Sequence, residues 1–100
     1  KNNTMKNTIT KEKLVQYFKI TKEALDMARD KFDQERQEQA ADFFDMAERY
    51  YIDAKYFLEK KEDRVLAFAA LNYAHGWLDA GARIRLFDVK DSRLFTVDPD

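Results

Sequence analysis

The run AFAALNYAHGWLDAGARIRLF, from Ala67 to Phe87, is the most apolar stretch of a chain whose residues are 37% charged. It constrains the fold more than any other feature. Apolar residues stand at consecutive positions over about twenty residues, well beyond the five or six of an ordinary strand, so the stretch is a helix. Advancing about 100° per residue gathers Asn72, His75, Gly76, Asp79 and Arg83 on one side. Leu71, Ala74, Leu78 and Ala82 form one apolar flank, and Tyr73, Trp77, Ala80, Ile84 and Phe87 form the other. The apolar arc covers roughly 220°, whereas a helix on the surface of a globular domain needs a stripe somewhat over 100° wide. The helix must therefore touch more than one neighbour. His75, Asp79, Arg83 and Arg85 within the run argue against a membrane span, which needs about twenty apolar residues with few charges.

The rest of the chain reads as cover for this helix. Two Gly and one Pro in 100 residues favour helices over a turn-rich β fold. The absence of Cys removes disulfides, thiolate metal sites and Cys nucleophiles. Eight Phe, five Tyr and one Trp, each burying roughly 150–250 Å², supply a core for one small domain. The net charge of −1 exerts no global pull on nucleic acid or anionic membrane. Neither is an expected partner. No targeting segment is read in the sequence, which points to the cytoplasm.

Taken in order, residues 1–8 are polar without an apolar anchor and are expected to be a disordered tail. Thr8 or Thr10 can cap the first helix, along which Leu14, Phe18, Thr21, Leu25, Ala28 and Phe32 recur at alternating spacings of four and three. Between Asp33 and Gln39 the sequence DQERQEQ carries no apolar repeat, and a break is expected there; the alternative, one helix of about fifty residues, is rare. A second helix is expected from about Ala40 to Lys60. Phe44, Ala47, Tyr51, Ala54 and Leu58 form one stripe on it, and Phe43, Tyr50 and Phe57 a parallel one. This large aromatic face complements the small residues Ala67, Ala70, Ala74 and Gly81 of the third helix, as core filling requires. The short linker EKKED makes these two helices antiparallel, and Asp63 can cap the third. The expected architecture is thus all-α: an up-down-up three-helix bundle over residues 9–87, with a short non-helical C-terminal tail over 88–100. That tail holds Leu94, Phe95 and Val97 and is expected to pack partly on the bundle.

The string from Tyr50 to Phe87, and LNYAHGWLDAG within it most of all, resembles the archaeal family catalogued as domain of unknown function 357. The resemblance implies a compact three-helix bundle of archaeal, cytoplasmic origin and no assigned activity. Such sequences often carry Gly between helices two and three, where this chain has Lys61 and Glu62. A fainter likeness is to helical domains found with minimal nucleotidyltransferases, some of them ribonucleases with an Arg four to six residues before a His. Here the nearest upstream arginine to His75 is Arg64, eleven positions away, so that motif is missing.

One polar constellation stands out: Asn72, His75, Asp79 and Arg83. His75 and Asp79 are four apart and share a helix face, and an imidazole held by a carboxylate can act as a base or a ligand. The simpler reading is that the stripe is where a core helix faces water. No catalytic set is complete. One His and no Glu-x-x-His pairs give no metal site and no cofactor site. Gly76 costs about 1 kcal/mol relative to Ala in a helix interior, which suggests close approach of another backbone or a ligand. Tyr73, Trp77, Leu78, Ile84 and Phe87 are the expected core or interface residues. The expected function is a non-enzymatic protein–protein interaction module, with a second copy or another protein as partner. The competing expectation is a nucleotide- or RNA-handling domain using the polar stripe.

Overall fold

The computed structural model describes residues 8–97. The expected N-terminal disorder concerns residues outside that range, Thr8 excepted, and residues 98–100 of the tail lie outside it too. Three helices run up, down and up: α1 (Lys11–Arg29), α2 (Gln37–Lys61) and α3 (Arg64–Arg83), with a single 3₁₀ turn (Gln34–Arg36) before α2. No strand forms among the described residues beyond an isolated antiparallel bridge between Phe32 and Phe87.

The helix starts follow from capping chemistry. The Thr10 side chain accepts from the Lys13 amide at 3.1 Å, and Asp63 accepts from the Leu66 amide at 3.0 Å, each satisfying a first-turn donor that has no partner inside its helix. α2 stops at Glu62, whose φ of 51° is left-handed. The amides of Glu62 and Asp63 both reach back to the Phe57 carbonyl. Gly adopts this conformation freely, and Glu62 does so at a steric cost of about 1 kcal/mol.

Three boundaries differ from the sequence reading. α1 ends at Arg29 rather than running through Phe32, and α2 begins at Gln37, three residues before Ala40. The chain opens at Phe32 because its backbone is needed elsewhere: the Asp33 amide donates to the Leu86 carbonyl and the Asp88 amide to the Lys31 carbonyl, both at 2.8 Å. The Phe32 ring then packs on Phe44 and Phe87. α3 also stops earlier than the apolar run, at Arg83. Arg85 takes a left-handed φ of 63° and turns the chain back, so that Leu86 and Phe87 are buried.

The core falls into two clusters. One gathers Leu14, Ala54, Ala67, Ala70 and Leu71. The other joins Leu25, Ala28, Ala40, Phe44, Ala47, Leu78 and Ala82 to Leu86, Phe87, Val89, Leu94 and Phe95. The expected match of large α2 against small α3 is present, since Tyr51, Phe57 and Leu58 pack against the cluster that holds Ala67 and Ala70. The tail beyond α3 is part of the second cluster. It forms a tight turn in which Asp91 holds the amides of Arg93, Leu94 and Phe95.

Candidate functional site

The polar stripe of α3 meets the tail. His75 sits among three partners: its Nδ1 lies 3.2 Å from the hydroxyl of Thr21 on α1, its Nε2 lies 2.6 Å from the Leu94 carbonyl oxygen, and Asp79 Oδ1 is 3.8 Å from Nε2, beyond hydrogen-bond reach. A carbonyl can only accept, so Nε2 carries a proton, and in the neutral ring Nδ1 accepts from Thr21. Thr21 is 3% exposed and is the buried polar residue of the core, and this bond satisfies it. The same Asp79 Oδ1 accepts from the Thr96 amide at 2.8 Å. The two residues that share a helix face stand within ion-pair distance without a hydrogen bond between them. Each holds the tail backbone.

The simpler sequence reading puts this stripe in water. The structure instead closes residues 94–96 over its centre, leaving the side chains of His75 and Asp79 only 22% and 30% exposed, while Asn72 and Arg83 stay exposed. Both ring nitrogens are thus turned to partners within the chain, Nδ1 to the buried Thr21 hydroxyl and Nε2 to the Leu94 carbonyl. No group of three or more His, Cys, Asp or Glu side chains comes together as a metal site among the described residues.

A charged strap completes the closure. Arg93 on the tail donates to Glu23 on α1, with Nη2 2.7 Å from Oε2 and Nη1 3.4 Å from Oε1. The bidentate contact holds the Glu23 carboxyl below its ordinary value and the Arg93 guanidinium above its own. At the opposite corner Arg36 pairs with Asp33 at 2.6 Å and donates to the carbonyls of Ile84 and Arg85 at 3.0 and 2.9 Å. It thereby answers two carbonyls left over where α3 ends. Its sequence signal is indirect: an arginine in a polar break, three residues after an aspartate. Nothing local announces a target 48 positions on.

The second sequence-picked set divides cleanly. Leu78 and Phe87 are fully buried. Phe87 is under Gly81, where a Cβ would collide with its ring. Trp77 is half-buried, edge-on to Phe43 at 5.0 Å and to Tyr73 at 6.5 Å. Tyr73 also packs edge-on to Tyr50 at 4.4 Å, yet it and Ile84 remain about half exposed. They belong to an apolar row on the outer face of α3 that also includes Val65 and Leu66. Gly76 lies on that face with open space where a Cβ would stand. The close approach of another backbone suggested by its sequence position does not occur among the described residues.

An all-α bundle with a tail strapped across its third helix is the class these observations define. A model of the family described as protein of unknown function (DUF357) matches residues 16–87, and the chain belongs to that family. Neither a curated protein nor a solved structure matches it. The matched segment covers all of α3 and stops before the tail residues that cross the polar stripe. No helix among the described residues is long and apolar enough to cross a membrane.

Proposed function

We propose that this protein is a non-enzymatic helical interaction module that associates with copies of itself through the outer face of α3. The observation that carries the reading is the row Val65, Leu66, Tyr73 and Ile84, exposed by 76%, 46%, 53% and 51% on a helix whose other sides are already covered. The tail, which could have laid its apolar residues there, places Leu94 and Phe95 in the core instead. Large apolar side chains left exposed along one helix face support an interaction site there. A net charge of −1 sets little repulsion between copies. The nucleotide- or RNA-handling alternative needs an accessible imidazole, and both nitrogens of His75 are engaged, one by the tail and one by Thr21.

Light scattering over a concentration series tests the reading. The expected outcome is a molar mass rising above the 11.9 kDa monomer and returning to it when Tyr73→Glu places a charge in the row. A mass that stays monomeric at every concentration contradicts self-association.

A further inference from the structure

The outer face of α3 has a pattern of its own. Taken from the helix start, its exposed positions are Val65, Leu66, Ala69, Asn72, Tyr73, Gly76, Ala80 and Arg83, with Ile84 at the cap. Turning a second copy end over end about a point between positions 74 and 75 sets Tyr73 against Gly76, Ala69 against Ala80, and Val65 against Ile84. All three pairs share that one axis. The largest side chain of the face then meets the residue with no side chain, and meets it twice, because a two-fold axis repeats every contact. A parallel pairing would stack Tyr73 on Tyr73 and leave the Gly76 notch empty.

The helix dipoles favour the same arrangement. In the antiparallel arrangement the partly positive start of each α3 lies beside the partly negative end of its partner's, whereas in the parallel one like ends meet. We infer, building on the self-association just proposed, that two copies pair through antiparallel α3 helices, with Tyr73 of each seated in the Gly76 notch of the other.

Small residues along the contact line let the helix axes approach closely, toward the lower end of the usual 8–10 Å. A helix of 20 residues is about 30 Å long and about 10 Å across. The face therefore offers on the order of 300 Å² per chain, below the roughly 800 Å² per partner of a standard stable interface. The pair is weak and reversible, and the measurement has to reach high concentration.

The open space at Gly76 makes a clean probe. A side chain added there meets nothing in the monomer within 4 Å of its Cβ but fills the notch the pairing requires. Gly76→Leu should keep the helical circular dichroism of the parent and raise the concentration at half-dimer about tenfold or more. The chain has no Cys, so introduced thiols report register without background. Mixed under oxidising conditions, an Ala69→Cys chain and an Ala80→Cys chain should form a disulfide-linked heterodimer, and neither should link to itself. If the parent associates but Gly76→Leu does so equally well, or Ala80→Cys links to its own copy, this pairing is wrong while self-association stands. A parent that is monomeric up to about 1 mM, the weak end of the affinity scale, overturns both.

Discussion

Gly76 and Gly81 lie five residues apart on α3, and a methyl group added to each would meet opposite fates. At Gly81 it would collide with the Phe87 ring; at Gly76 it would stand in open space. The difference separates the two sides of the helix. The side of Gly81, Leu78 and His75 is closed by α1, α2 and the returning tail. Beyond the α2 aromatics at its edge, the side of Gly76, Tyr73 and Val65 stays open among the described residues. An apolar arc of some 220° on one helix could have been covered wholly by its own chain. Here the tail goes to the polar stripe and its flank, and the remaining apolar surface stays outside.

Substitutions that act on one side only sharpen this contrast. The largest effect is expected from Leu94→Ala. Leu94 is 1% exposed, and removing its side chain from the second core cluster should cost about 3 kcal/mol in urea unfolding. A cost below about 1 kcal/mol would mean that the tail lies on the bundle without contributing to its core. Gly81→Ala should cost about 2 kcal/mol, because the Phe87 ring must move out of a filled site. Gly76→Ala should instead raise monomer stability by about 1 kcal/mol, the ordinary helix preference for Ala. Equal effects at the two glycines would erase the difference between the sides.

His75→Ala should cost about 2 kcal/mol by leaving the buried Thr21 hydroxyl and the Leu94 carbonyl without a partner. Its signature is faster amide exchange at residues 94–96 than in the middle of α2. Uniform acceleration would instead assign His75 a general packing role. The smallest effect concerns acid. Because Arg93 lowers the Glu23 carboxyl from its ordinary 4.5, the strap contributes to stability above that value and loses its contribution as pH falls through the lowered one. Glu23→Gln should flatten this part of the pH profile and shift the midpoint at pH 7 little, as expected for an exposed pair.

Much of the framework can be read from local chemistry. Thr10 and Asp63 are helix-capping residues at helix starts. Leu14, Thr21, Leu25 and Ala28 of the α1 stripe and Phe44, Ala47 and Ala54 of the first α2 stripe are buried, Phe43, Tyr50 and Phe57 of the parallel stripe are half-buried, and the small residues Ala67, Ala70, Ala74 and Gly81 face the core. What stays hidden depends on contacts across long separations. Phe32 continues the apolar repeat of α1, and no Gly or Pro marks the helix end before it. It leaves the helix only because Leu86 offers its carbonyl to the amide of Asp33 and Phe87 offers its ring. Arg36 reads as one more charge in a polar linker until α3 ends beside it. His75 and Asp79 look like a pair by their spacing, but spacing shows only that two side chains could meet. That a backbone carbonyl and an amide from the tail would take up their hydrogen bonds has no trace in the residues around them.

The central claim, that the inner side of α3 is closed by the tail while its outer face receives a second copy, is tested most directly by ¹H–¹⁵N NMR spectra across a concentration series. The amide signals that move with concentration should be those of Leu66, Ala69, Tyr73, Gly76, Ala80 and Ile84, with His75 and residues 93–96 unmoved. Spectra that do not change with concentration, or changes centred on the tail and the His75 side, would contradict it.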